Sequence, residues 1–126
     1  MDAKNYLKIG DISAYTASYD LGNKVWKTVS KWDYFAKTTV GTQLARSVDS
    51  ISANIAEGFG RFHKKDRIKF YYNARGSVFE AQDWLKKAKD RNLLSDEEFE
   101  EILNDLRKLP KEINQLIKFT DEKLTI

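Results

Sequence analysis

The sequence predicts an all-α chain folded as an antiparallel up-down four-helix bundle. Apolar residues recur at three- and four-residue steps along nearly the whole chain of 126 residues, the spacing that places side chains on one face of a helix. One proline and six glycines are too few turn formers for an all-β chain. Four amphipathic stretches of helical length follow one another through short links, which favour antiparallel neighbours. The reading is a single domain over 1–126, helical at about 11–31, 38–59, 64–92 and 95–119, with a frayed tail at 120–126.

In the first stretch Ile12, Tyr15, Tyr19, Gly22, Val25, Trp26 and Val29 form the apolar stripe, and Asp11 reads as its N-cap. Residues 31–37 read as a connection with Asp33 as a turn residue. The second stripe is Val40, Leu44, Val48, Ile51, Ile55 and Phe59. It stops at Gly58-Phe59-Gly60, where glycine is expected to take the left-handed conformation that closes a helix. The third stripe is Tyr71, Ala74, Val78, Ala81, Leu85 and Ala88, whose small residues let a neighbouring helix approach closely. The fourth helix opens on Ser95-Asp96-Glu97-Glu98, a capping box in which Ser95 and Glu98 satisfy each other's backbone donors. Its stripe is Phe99, Ile102, Leu103, Leu106, Ile113, Leu116 and Ile117. Pro110 falls inside that pattern and predicts a kink or a break.

Composition excludes much chemistry. With no cysteine, the chain has no disulfide, thiolate metal site or cysteine nucleophile. With His63 as its one histidine, it has no multi-histidine centre. Gly58-Phe59-Gly60 lacks the Lys-Ser/Thr and the preceding strand of a phosphate-binding loop. The carboxylates Asp96, Glu97, Glu98, Glu100 and Glu101 read as a solvated helix start suited to the helix dipole. No nucleophile, base and orienting group fall together. No catalytic, cofactor-binding or metal-ligating residue is therefore nominated, and the chain is read as a non-enzyme. Neither Met1–Tyr6 nor any later run has the apolar length of a signal peptide or membrane span, so a cytoplasmic location is expected.

The net charge of +3 hides an uneven distribution. Residues 1–40 carry six Lys/Arg against four Asp/Glu, residues 41–91 eleven against six, and residues 92–126 five against nine. The densest basic stretch holds Arg61, His63, Lys64, Lys65, Arg67 and Lys69, with Asp66 as its one acid. Such a cluster can neutralise phosphates, and it reads equally as a solvated helix start. The third helix is also too aromatic for one buried face. At ~100° per residue, Phe70, Tyr72, Phe79 and Trp84 fall outside its bundle-facing stripe. Part of that excess can be covered by flanking helices, and the rest predicts a subunit interface.

Two strings then carry a resemblance: Asn54-Ile55-Ala56-Glu57-Gly58 and Ala74-Arg75-Gly76-Ser77, with Gln43-Leu44-Ala45-Arg46 leading in. Together they resemble the four-helix bundle family first described from intervening sequences in bacterial 23S rRNA genes. The likeness runs from about Asp11 to Phe119. Asp11-Ile12-Ser13-Ala14-Tyr15 departs from the family's usual tryptophan-bearing opening, Asp33 stands where a proline is usual, and a second basic residue after Gln43 is missing. The resemblance implies a homopentamer and distant kinship to the accessory protein of diversity-generating retroelements, a basic pentamer that binds nucleic acid and a reverse transcriptase. It implies no catalytic residues.

The signature residues also have structural readings. Gly76 and Gly58 read as packing and capping glycines, and the Asn54 amide as satisfying a backbone group or a neighbouring helix. If the second and third helices are antiparallel and joined near residue 62, Arg75 lies level with Asp49, and Glu57 with Arg67. Glu57 and Arg75 are then ~12 Å apart along the axis at 1.5 Å per residue. Arg75 is accordingly expected to pair with Asp49 or with an acid of another subunit, or to contact phosphate. Two functions remain open: an oligomer that binds RNA or a nucleoprotein through its basic surface, and a protein-interaction scaffold with no nucleic-acid role.

Overall fold

A computed structural model of the chain describes residues 8–124. The Met1–Tyr6 head and the last two residues of the expected tail lie outside that range. A short 3-10 turn (Ile9–Asp11) leads into α1 (Ser13–Val29). A single helical turn, α2 (Tyr34–Ala36), then passes through a π-helical turn (Lys37–Gly41) into α3 (Thr42–Phe59). α4 (Lys64–Asp90) and α5 (Asp96–Lys123) complete the chain. Ala36, Lys37, Gly41 and Thr42 all keep right-handed helical dihedrals, so residues 34–59 form one continuous rod. The rod packs on α1 and α4, and α5 packs on α4 and α1. Neighbours in sequence are thus neighbours in space, the arrangement of an up-down four-helix bundle.

Four boundaries differ from the expectation, each for a local reason. The second helix starts at Tyr34 because Asp33 is its N-cap rather than a turn residue, with Oδ1 accepting from the Ala36 amide at 3.0 Å. Asp11 does not cap α1. It belongs to the 3-10 turn, and Ile12 occupies the cap position with no side-chain bond. Gly60 ends α3 with φ −82°, in the right-handed region. The left-handed residue is Asn92 (φ 61°), at the end of α4. There the Asn92 amide donates to the Lys89 carbonyl and the Leu93 amide to Ala88, a Schellman closure that stops the helix at Asp90. Finally, α5 runs to Lys123 and Thr120 is buried, so the expected tail is largely helix.

Pro110 does not break α5. It costs about 3 kcal/mol, but Leu106, Leu109, Ile113 and Ile117 around it are all buried. Each such side chain returns roughly 1.5–3 kcal/mol on burial. The Ser95–Glu98 capping box forms as expected, with the Glu98 amide donating to Ser95 Oγ at 3.0 Å and the Ser95 amide to Glu98 Oε1 at 2.9 Å. Ser95→Ala should therefore lower stability by about 1 kcal/mol, read as a shifted urea midpoint at unchanged slope.

The stripe of α4 is buried at all six expected positions, Tyr71 through Ala88. The stripe of α1 is rotated from its expected position. Ala14, Ser18, Leu21, Val25 and Val29 face the core, whereas Tyr19 and Trp26 are exposed. Small and branched residues fit between the rod and α5, and the large rings are left on the rim. Buried Ser18 satisfies its hydroxyl on the Ala14 carbonyl at 2.7 Å.

Candidate interaction surfaces

The expected basic surface begins in the link between α3 and α4, and its six residues are not equivalent. Arg61 pairs with Glu57 one turn back and lies over the Phe70 ring, 4.8 Å from its centroid. Lys64 reaches across to α5, donating to the Asp121 carbonyl at 3.0 Å. Arg67 Nε donates to the Arg61 carbonyl at 2.6 Å, tying the link to the first turn of α4. Three of the cations thus act as straps within the chain. His63 occupies the N-cap position of α4 without a side-chain cap bond, and its ring stacks edge-on with Phe62. Lys65 and Lys69 are exposed and carry no ion pair with any described residue.

The signature residues are mostly structural. The Asn54 amide donates to the Ser50 carbonyl at 2.8 Å, and Ser50 in turn donates to Ser77 at 2.7 Å across the α3–α4 contact. Gly58 makes that contact possible. A Cβ there would lie 2.8 Å from Tyr71 Cε1 and 2.9 Å from the Arg67 carbonyl. Glu57 pairs with Arg61 and not with Arg75. Arg75 does not pair with Asp49 either. Its guanidinium donates to Asn114 Oδ1 on α5 at 2.6 Å and covers the Tyr72 ring at 4.7 Å. The two partners point to different neighbours. Asp49 is turned to α1, where its carboxylate fills the space beside Gly22, and the desolvation there raises its pKa from the ordinary aspartate value. Arg75 sits on the α5 side of α4. Axial level was read correctly from the sequence, but azimuth was not.

Gly76 departs from its expected packing role, because nothing lies within 4 Å of a Cβ built there. It is exposed in the middle of α4, between exposed Tyr72 and Phe79. Phe70 and Trp84, nominated with them, are half-buried. Trp84 packs against the core and is covered by Lys87, whose ammonium lies 4.4 Å from its ring. The outer stripe of α4 therefore reads Lys69, Tyr72, Gly76, Phe79, Asp83 and Lys86, all exposed.

Sequence reasoning missed the end of the bundle where the rod begins. Tyr34 and Phe35 are 82% and 76% exposed, and Trp26 is 66% exposed. Two grooves flank the π turn. One holds Trp26, Lys37 and Arg46 and the other Phe35, Trp84 and Arg91. The signal in the sequence was the Tyr34-Phe35 pair, which lay in a stretch read as a connection.

A cavity of about 270 Å³ opens at the opposite end of α3, between Phe59, Arg67, Tyr71, Glu112 and Thr120. Burial raises the pKa of the Tyr71 phenol above its ordinary value, with the nearby Arg67 opposing. Among the described residues no group of three His, Cys, Asp or Glu side chains could hold a metal ion, and no helix is long and apolar enough to cross a membrane.

These features define an all-helical four-helix bundle with exposed aromatic and basic groups on its outer surface. The chain belongs to the 23S rRNA-intervening sequence protein family, whose model matches residues 10–115. Its fold is similar to a crystal structure from Bacteroides thetaiotaomicron, described as a protein with unknown function from the S23 ribosomal protein family. The TM-score is 0.74 at 23% identity, covering 83% of this chain and 98% of that one. No curated protein matches the chain.

Proposed function

We propose that the protein is a non-catalytic module that assembles with copies of itself through the outer face of α4. The observation that carries this reading is Gly76. A glycine inside a helix costs about 1 kcal/mol relative to alanine, and no neighbour within the chain needs the space it leaves. It lies between two exposed rings, Tyr72 and Phe79, on a stripe from Lys69 to Lys86 spaced 3-4-3-4-3 along the helix. That is the seven-residue repeat by which helices seat side chains between one another. The gap at Gly76 receives a side chain from the second copy, and the two rings flank it. Five copies is the number implied by the family resemblance.

Light scattering on the eluting protein tests the reading. The wild-type chain should run as a multiple of 14.6 kDa, and Phe79→Lys should reduce it to one copy with its helical circular dichroism intact. Gly76→Ala separates the two roles of the glycine. It should loosen the assembly while raising the stability of the dissociated chain by roughly 0.5–1 kcal/mol. A wild-type protein that stays monomeric at high micromolar concentration would falsify the proposal.

A further inference from the structure

We infer that the groove between α1 and the start of the rod is a stacking site for single-stranded nucleic acid, with Trp26 as the platform and Lys37 and Arg46 as the phosphate contacts. The groove has a volume of about 360 Å³, and no carboxylate lines its walls. Trp26 rises from α1 on one side with two-thirds of its surface exposed. Lys37, in the π turn, and Arg46, one helical turn into α3, are both exposed and form no ion pair with any described residue. In this they differ from Arg61 and Lys64, which are neutralised within the chain.

The local backbone supports an open, rigid platform. A Cβ at Gly41 would lie 2.7 Å from Val29 Cγ1, so the rod is pressed against the end of α1 and the groove floor is fixed. π turns inside α-helices are frequent at functional sites, and here the turn separates two aromatic-lined grooves. Tyr34 and Phe35, just before Lys37, are the two most exposed large rings among the described residues; Phe35 lines the far groove, where Asp33 also lies. Arg91 lines the far groove.

Rings interleaved with unneutralised cations are what a single strand needs. Each base offers a flat face to an aromatic ring, and each phosphate offers a charge to Lys or Arg. A duplex would present only its backbone and leave Trp26 without a partner. An acidic peptide would use the cations and not the indole face. The site does not depend on assembly through α4.

The test uses the full-length chain and two fluorescent 12-nucleotide probes, oligouridine and oligothymidine, titrated by anisotropy across a salt series. Both probes should bind at low salt and quench tryptophan emission. Trp26→Ala should weaken binding roughly ten-fold or more. Lys37→Gln and Arg46→Gln should each reduce the slope of log affinity against log salt by about 0.7. Lys65→Gln should change neither affinity nor quenching. All four positions are exposed, and unchanged thermal melting of each variant shows that its fold is intact. The inference is overturned if neither probe binds at low salt, or if the salt slope follows Lys65 while Trp26→Ala binds normally. It is equally overturned if a polyglutamate peptide competes as well as oligouridine, or if Trp26→Ala changes the number of copies in the assembly.

Discussion

Tyr71→Ala is expected to destabilise the protein by about 3–5 kcal/mol, the range found when a buried aromatic ring is truncated. Tyr71 is the largest of the fully buried side chains, with 1% of its surface accessible. It stands in the first third of α4, where the rod, α4 and the last turns of α5 meet around the cavity bounded by Phe59 and Thr120. Removing the ring enlarges a space that already exists, so the walls have little freedom to collapse onto the gap. Tyr71→Phe isolates the hydroxyl. It keeps the ring and removes only the polar group beside Arg67, and it should cost about 1 kcal/mol. Urea midpoints of the two variants check this, and a loss below about 1.5 kcal/mol for the alanine variant would contradict a fully packed ring.

Gly58→Ala should be the second large effect, a loss of about 1–3 kcal/mol from overpacking. Helix propensity alone argues the other way, since alanine is the better helix former by roughly 1 kcal/mol. Geometry decides the sign. The new methyl would meet Tyr71 Cε1 at 2.8 Å, Phe70 Cβ at 3.1 Å and the Arg67 carbonyl at 2.9 Å. The first contact can be relieved by turning a ring, but the last is backbone. Relief there means sliding the first turn of α4 away from α3, with the Ser50–Ser77 hydrogen bond at stake. Combining Gly58→Ala with Tyr71→Ala should therefore cost less than the sum of the two, because the truncated ring vacates part of the space. Strict additivity would place the clash on the Arg67 carbonyl alone. The same change at Gly76, where nothing lies within 4 Å, should stabilise the isolated chain. The two signature glycines thus respond to one substitution with opposite signs.

Residue spacing carried far at the level of single helices. The stripes of α3 and α4, the Ser95–Glu98 box and the antiparallel level of α3 against α4 were all legible, because each depends on a repeat of 3.6 or on neighbours within one turn. The start of the rod was not. Asp33 reads as a turn residue in a connection, whereas its carboxylate accepts from the Ala36 amide and caps the rod, whose Gly41 is pressed against Val29 of α1. Gly60 keeps a right-handed φ, so the link between α3 and α4 closes without a positive φ, and the left-handed residue is instead Asn92 in the next link, after α4. Among the candidate sites, the basic residues after Gly60 were legible as a cluster. The Glu57–Arg61 pair is a local i,i+4 contact open to sequence reading, but Asp121 becomes a partner of Lys64 only when α4 and α5 are placed side by side.

From residue order alone come four amphipathic helices, their antiparallel sequence and the family signature, since local periodicity and chain connectivity suffice for these. Tertiary structure decided which side of each border residue meets a neighbour. Trp26 moved from an expected core stripe to the rim of a groove, Trp84 and Phe70 from an expected interface to half-buried positions, and Arg75 from Asp49 to Asn114. The physical reason is common to all of them. A helix wheel ranks positions by angle, but the angle that is buried depends on where two other helices lie, and their distances are set by small residues such as Gly22, Gly41 and Gly58 on different segments of the chain.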